Sequence, residues 1–494
     1  MVVRTQSATH SGPHGATVEI EASLQSALPA IVITGLPGDV VKESRERLRA
    51  CLAGLGFPVP SSRVVVHLSP ATTKKQGSQL DLGIAIALLA AEGKLDARRP
   101  IEHCAFLGEL CLDGRLRGVS FALALAQALD RDPQIDHVLV AQENAAELAL
   151  LESPKIRAFS SLTEVLEWME AKSISPAKPQ TIVPPEVPPD VSSWDQVQGQ
   201  MLAKRALEIA LAGHHHLLLV GPPGVGKSLL ARSAASLIPR LDKGELIELV
   251  KSRGFYGSGD LWERPFRAPH HSASLQGLVG GGNGAQLECV EVTLAHGGIL
   301  FLDELPEFRK DVLESLREPL QNGFVQLNRV GSQVILPADF LLIAAMNPCP
   351  CGYAFDTKRP CYCPPASSSA YRRKVSGPIY DRIDLCVVLG SPQSGDSASR
   401  DTAARVRERI SRVRRLRRQE VGTGPIDLAE GPFALRGDSR LWCENLCEKN
   451  HLSFRSLHKT VRVARTVADL EGRDAIEVAD LQEAWELRCR DFWK

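Results

Sequence analysis

The sequence predicts an α/β core with a carboxy-terminal helical lid, preceded by a separate domain. Three observations predict it: a glycine-rich run lodged between a strand pattern and a helix pattern, a later apolar strand ending in two adjacent acids, and a proline-dense stretch that parts the chain. At 494 residues the chain exceeds what a single core holds, so two or three domains are expected. The partition falls at Ser173 to Pro189, where Pro176, Pro179, Pro184, Pro185, Pro188 and Pro189 preclude a helix and favour an extended linker. The expected domains are residues 1–172, a linker at 173–192, an α/β core at 193–392 and a helical subdomain at 393–494.

Past the linker, Met201 to Ala212 reads as a helix and His216-Leu-Leu-Leu-Val220 as a buried parallel strand. Gly221-Pro222-Pro223-Gly224-Val225-Gly226-Lys227-Ser228 comes next, and Leu-Leu-Ala-Arg-Ser-Ala-Ala-Ser continues as a helix. A glycine loop in that position curls backbone N–H groups around phosphates at a positive helix end. Lys227 adds a point charge, and the Ser228 hydroxyl is a magnesium ligand. Ile299-Leu-Phe-Leu302 then delivers Asp303 to the metal, and Glu304 reaches the attacking water. Loop, Lys-Ser and strand-Asp-Glu together specify ATP with Mg2+, whereas a glycine turn alone would be weak evidence. A third apolar strand, Phe340 to Met346, ends in Asn347, a polar side chain placed to sense the γ-phosphate. Asp401 to Arg418 and Ser453 to Leu470 are amphipathic helical patterns, the second opened by Arg455.

Composition narrows the partners. Lys plus Arg and Asp plus Glu number 58 each, so any nucleic-acid contact must be local rather than a global basic field. The start lacks an apolar core, and the uncharged run Leu82 to Ala91 is too short to span a bilayer, so a cytoplasmic protein without a membrane partner is expected. Twelve cysteines then suggest buried thiols or metal rather than disulfides.

The order of Gly221 to Ser228, Arg264-Pro-Phe-Arg-Ala-Pro-His270-His271-Ser272, Leu302-Asp-Glu-Leu305, Ala345-Met-Asn-Pro-Cys-Pro-Cys-Gly352 and Ser376-Gly-Pro-Ile-Tyr-Asp-Arg382-Ile-Asp-Leu385 resembles the ComM/YifB family of magnesium-chelatase-like AAA+ ATPases, nearly end to end. The resemblance implies a homo-hexameric ring that hydrolyses ATP at subunit interfaces and acts on single-stranded and branched DNA, as a helicase promoting branch migration in natural transformation. By position, Asn347 resembles sensor 1, Arg382 the trans-acting arginine finger and Arg455 sensor 2. Arg372 and Arg373 compete for the finger role, and a salt bridge to Asp381 or Asp384 is the alternative use of Arg382.

The first half resembles the family's Lon-protease-like (ribosomal S5-like) domain through Ile33-Thr-Gly-Leu-Pro37, Val41 to Arg47, Val64 to Pro70 and Gly108 to Gly114, which implies an α+β fold for it. A Lon-type site needs a serine and a lysine to take its proton. When Lys75-Gln-Gly77 is laid on the Lon motif, Gln79 takes the serine position and Leu123 falls near the lysine position, with Ser78 one residue away. The expectation is a non-proteolytic module for DNA contact or ring assembly.

Cys349-Pro-Cys351 and Cys361-Tyr-Cys363 place four thiols in two pairs on the loop leaving Asn347, a donor set for structural Zn2+; the alternative is four reduced thiols in a loop fixed by packing. Two segments are candidates for DNA. Gly323 to Arg329 and Ser332 to Leu336 flank a Gly331 turn and read as a hairpin, with Arg329 near the tip to grip phosphate. The insert Arg267 to Gly282, with His270 and His271, is a second loop, its alternative a surface loop. Arg405, Arg407, Arg409, Arg412, Arg414, Arg415, Arg417 and Arg418 crowd one helix, which Val406, Ile410 and Val413 stripe; a solvated lid helix is favoured over a DNA-binding face.

The function expected is therefore an ATP-dependent hexameric DNA motor. Three alternatives stand beside it. A magnesium-chelatase-type ATPase that drives metal insertion into porphyrin would share the core, but the Lon-like domain and Cys-Pro-Cys loop count against it. A Lon-like protease is disfavoured by Gln79 and Leu123, and a non-enzymatic DNA scaffold by the Asp303-Glu304 pair.

Overall fold

The computed structural model describes the chain apart from residues 1, 12, 37, 58–61, 72–74, 76, 178–191, 255–261, 281–289, 330–331, 357–358, 391–400, 421–426 and 489–494. Most of the proline-dense stretch, Gly281 and Gly282 therefore lie outside the described residues, as do the side chains of Arg329 and Arg418. The chain forms two compact units: Met1–Pro185 with Asp242–Leu261, and Glu186–Leu241 with Trp262–Lys494.

The amino-terminal unit is built on a mixed seven-stranded sheet. Strands β1 (Val2–Ser11) and β2 (His14–Gln25) form a long antiparallel hairpin. β3 (Ala30–Thr34) and β4 (Arg63–Ser69) extend it on one side and β5 (Cys104–Leu107) on the other, while β6 (Glu109–Leu110) and β7 (Leu116–Arg117) make a small separate ribbon. With β8 (His137–Ala141) and β9 (Ile156–Phe159) the order is β3-β4-β2-β1-β5-β8-β9. Alternation drives the packing: Val18, Ile20 and Ala22 of β2 are buried every second residue. Helix Asp81–Ala91 is buried from Asp81 to Leu89, as an element apolar on all sides requires.

The second unit contains a five-stranded, all-parallel sheet. Its strands are β10 (Leu217–Val220), β11 (Phe266–Arg267), β12 (Ile299–Leu302), β15 (Leu341–Met346) and β16 (Leu385–Val388), ordered β11-β12-β15-β10-β16. Between β12 and β15 in sequence, β13 (Phe324–Arg329) and β14 (Ser332–Pro337) pair as a separate antiparallel hairpin, with Arg329 opposite Ser332. The central strands carry unbroken apolar runs because helices cover both faces of a parallel sheet. Register aligns the strand ends: Val220 lies beside Met346 and Leu302 beside Ala344, so the residues leaving the three strands meet at one sheet edge. In such sheets ligands bind beyond the carboxyl ends of the strands.

The arginine-rich helix, Ala403–Glu420, packs on Met201–Gly213 through Ala403, Val406, Ile410 and Val413. Several of its arginines turn inward rather than into solvent. Arg409 pairs with Glu208 at 2.6 Å and Asp401 at 2.8 Å, and Arg417 with Asp469 at 3.1 Å. Arg412 and Arg414 donate to the carbonyls of Leu470 and Leu211 at 2.8 and 3.0 Å. Arg405, Arg412 and Arg415 stay exposed, Arg412 despite its bond to the Leu470 carbonyl. No helix among the described residues is long and apolar enough to cross a membrane.

Candidate functional site

Between β10 and helix Lys227–Leu237 the chain reverses in a loop whose Gly224 and Gly226 sit at φ +78° and +97°. Only glycine adopts that backbone at little cost, and no heavy atom stands within 4 Å of a Cβ built at either position, which leaves the concave side open to a ligand. The Lys227 amine folds back over the loop, donating to the carbonyls of Gly221 at 2.6 Å and Pro222 at 2.9 Å and to Asn347 Oδ1 at 3.1 Å. Burial lowers the Lys227 amine to about 8 against the opposing pull of Asp303 and Glu304. Phosphate charge in the loop would restore the ammonium, so anion binding there draws a proton in alkaline solution. The Ser228 hydroxyl donates to Asp303 Oδ2 at 2.6 Å, the two oxygens standing where a magnesium ion needs a pair of hard ligands. The loop, Ser228 and Asp303 thus fit a Mg2+-nucleoside triphosphate.

Glu304 succeeds Asp303 at φ +52°, a strained turn that lifts its carboxylate out of the sheet edge. It is exposed, and its Oε2 lies 3.2 Å from His271 Nδ1. His270 packs against His271 with ring centres 4.1 Å apart and planes tilted by 35°, and hydrogen-bonds through Nδ1 with the Ser272 hydroxyl at 2.8 Å. The two histidines assigned to DNA on sequence are therefore placed against the acidic end of the nucleotide site. Their sequence distance from Glu304 concealed this; the only signal was their place just after the short strand β11, next to β12 in the sheet.

Tyr371 lines the same cleft as Asn347, and burial pushes its phenol up to about 12. The cleft, of about 540 Å³, opens beside Glu304 and Asn347, walled by Pro350, Tyr371, Glu307 and Lys374. Lys374 and Glu307 form an ion pair at 3.2 Å across it. Of the other finger candidates, Arg372 is half-buried and Arg373 exposed.

Arg382 makes neither of the salt bridges that its neighbours Asp381 and Asp384 offered as its alternative use. Its Nη2 donates to Gln321 Oε1 at 2.5 Å, Nε to the Arg317 carbonyl at 3.1 Å and Nη1 to the Pro378 carbonyl at 2.8 Å. Burial and then the nearby positive charges of Arg455 and Arg317 lower its pKa, which puts Arg382, the finger candidate, within electrostatic reach of Arg455, the sensor 2 candidate. Asp384 instead binds Lys459 at 2.8 Å and accepts from the His216 backbone at 3.1 Å. Burial opposes its charge, yet Lys459 and then His216 hold it down at about 2. Arg455 and Lys459 share a face of helix Phe454–Leu470, one turn apart, so this pair ties the helix bearing Arg455 to the segment bearing Arg382.

The four loop cysteines converge, with sulfurs within 4.8 Å of one another. Cys349 and Cys351 are 3.4 Å apart, and each lies 3.6 Å from Cys361. A tetrahedral zinc with Zn–S near 2.3 Å separates sulfurs by about 3.8 Å, so the spacing fits. The Tyr353 backbone N–H lowers the Cys351 thiol to about 6, the direction a metal thiolate requires, whereas Cys349, Cys361 and Cys363 are each raised.

In the amino-terminal unit, Gln79 and Leu123 are both buried, and the Ser78 hydroxyl donates to the Glu109 carboxylate. Lys75 is buried as well, its amine committed to the Pro70 carbonyl. No serine–lysine hydrogen bond joins these residues, as a nucleophile and its base would require.

With the geometry in place, comparison adds ancestry. The family model described as magnesium chelatase, subunit ChlI, matches residues 193–396; subunit ChlI of Mg-chelatase matches 20–144, and the ChlI C-terminal model 398–488. The uncharacterized protein YifB of Salmonella typhimurium is 37% identical over 504 residues, covering 99% of this chain and 97% of its own. YifB of Escherichia coli is 36% identical over the same span, with the same coverage. The competence protein ComM of Haemophilus influenzae is 35% identical over 498 residues, covering 97% of this chain and 96% of its own.

Proposed function

This chain belongs to the ComM/YifB family of magnesium-chelatase-like AAA+ ATPases, and from that premise we propose that it is an ATP-dependent DNA motor, a helicase promoting branch migration during natural transformation. One observation carries the reading: Lys227, Ser228, Asp303 and Asn347 form a nucleotide cradle, while Arg382 is anchored to Gln321, Arg317 and Pro378 instead of to that cradle. A finger so placed serves the site of another subunit, which calls for a ring, a homo-hexamer in this family. The competence protein among the relatives supports DNA as the track. In this reading residues 1–172 are a non-proteolytic Lon-like module, 173–192 a linker, 193–392 the ATPase core and 393–494 its lid, in a cytoplasmic protein.

Magnesium-chelatase work is the second reading, favoured by the ChlI models, one of which covers residues 20–144. The near end-to-end relatives YifB and ComM weigh toward DNA. Strand-displacement and branch-migration assays with ATP, beside porphyrin-metalation and casein-cleavage controls, separate the readings. Metalation without unwinding would replace the first by the second.

With net charge zero, DNA affinity must come from few phosphates, so log affinity should fall with log salt at a shallow slope. Arg329→Ala should flatten that slope by about 1 and lower unwinding and DNA-stimulated hydrolysis, while DNA-free hydrolysis persists. Unwinding that survives Arg329→Ala but is lost when Arg405, Arg407 and Arg415 are neutralised would move the contact to the arginine-rich helix.

Zinc at Cys349, Cys351, Cys361 and Cys363 would staple the segment between Asn347 and helix Pro365–Arg372. Elemental analysis of protein purified without chelator should find about one zinc per chain, and Cys351→Ser should remove most of it. Values well below one in the unaltered protein would leave four thiols packed without metal.

A further inference from the structure

The sequence assigns residues 242–261 to the ATPase core, but in the structure they cluster with the amino-terminal unit. Helix Lys243–Arg253 is strongly delimited. Asp242 and Glu245 form a reciprocal capping box at its start, and Gly254 closes it at φ +75°. Its Leu246, Leu249 and Val250 are buried. The socket is specific to the closing glycine: the Phe121 backbone N–H donates to the Gly254 carbonyl at 2.5 Å, and a Cβ on Gly254 would stand 2.5 Å from the Phe121 ring. That ring is itself fixed by stacking on His10 of β1 at 4.2 Å. At the other end Lys243 meets Glu152 at 2.7 Å.

The neck of this excursion belongs to the other unit and is pinned shut. The Leu241 backbone N–H donates to the Trp262 carbonyl at 2.9 Å, and both side chains are buried. Arg264 clamps the carbonyls of Pro239 and Gly297 at 2.7 and 2.6 Å. The neck starts four residues after the last residue of helix Lys227–Leu237, the helix that begins at the phosphate loop.

We propose that residues 242–254 are a docking arm, a helix lent by the nucleotide-binding unit to a socket formed by Phe121, His10 and Glu152, and that this arm, rather than the proline-dense stretch, holds the amino-terminal unit to the ATPase. The partner recognised by the socket is thus a segment of this same chain: an amphipathic helix ending in glycine. The inference does not depend on whether the motor works on DNA.

The test uses the full chain with a specific protease site placed within residues 180–185, cut after purification and passed over a sizing column. The two fragments should co-elute as one species. A second chain has residues 242–261 replaced by a short glycine turn, which the closed neck between Leu241 and Trp262 permits; after the same cut its fragments should separate. Retained ATP hydrolysis by its large fragment shows that the nucleotide-binding unit remains folded. Gly254→Val in the otherwise intact chain, which meets the Phe121 ring, should also release the fragments after cutting. A peptide of residues 242–254 should bind the freed amino-terminal fragment. Separation of the unaltered cut chain, or co-elution of the armless one, would overturn the proposal.

Discussion

Glu304→Gln should bind ATP with little loss yet turn over roughly 10²–10⁴-fold more slowly, because it deletes a base and leaves the phosphate cradle untouched. Lys227→Ala should instead lose the nucleotide. Its amine is a side-chain cation over the loop, and it ties Gly221, Pro222 and Asn347 together, so truncation removes a charge-assisted contact and strands three acceptors. A lost charged hydrogen bond of about 1.5–3 kcal/mol weakens binding roughly 10- to 150-fold. Equilibrium titration with a fluorescent nucleotide, run beside steady-state hydrolysis, separates the two outcomes. Equal loss of binding in both variants would end the division of labour between cradle and base. Glu304 Oε2 lies 3.2 Å from His271 Nδ1, so the Gln variant also alters that contact.

Arg382→Ala should be the other severe lesion, since a finger that neutralises charge in the transition state contributes roughly 10³–10⁵ in turnover. Its partners predict little effect on folding, because Gln321 is exposed and the carbonyls of Arg317 and Pro378 can pass to water. If the arginine acts in trans, mixing this variant with Lys227→Ala should restore activity that neither has alone. In a random equal mixture about a quarter of the interfaces join an intact loop to an intact finger. Mixed assembly is verified by differently tagged subunits. Silence in verified mixed rings would place the function of Arg382 within its own chain.

Legibility tracked sequence distance. The strands that carry Gly221, Asp303 and Asn347 were readable because a doubly covered parallel strand is a short unbroken apolar run, and Leu217–Val220, Ile299–Leu302 and Leu341–Met346 lie within a residue of the expected spans. The hairpin β13–β14 and helix Phe454–Leu470, capped by Ser453, were equally local signals. Other features depend on tertiary proximity that no periodicity encodes. His271 reaches Glu304 only because β11 neighbours β12; Tyr371 joins Asn347 in one cleft from beyond the cysteine loop; Lys459, on helix Phe454–Leu470, finds Asp384. The arginine-rich helix looked solvated because charge density reads as exposure. Arg414 shows why that reading was incomplete: burial lowers its guanidinium to about 9, and its Nη1 donates to the Leu211 carbonyl.

The discontinuity of the amino-terminal unit also bears on biosynthesis. Its last structural piece, Asp242–Leu261, leaves the ribosome only after residues 186–241 have been made. At about 5–20 residues per second that delay is on the order of several seconds, during which Phe121 and Glu152 have no arm to meet. Chains translated side by side on one message would then compete for each other's arms, and an exchanged helix would link two nascent proteins before either nucleotide site exists. Pausing shortly after Gly254 emerges would favour the intramolecular partner, whereas a fast stretch through residues 186–254 would shorten the window in which a stranger can arrive.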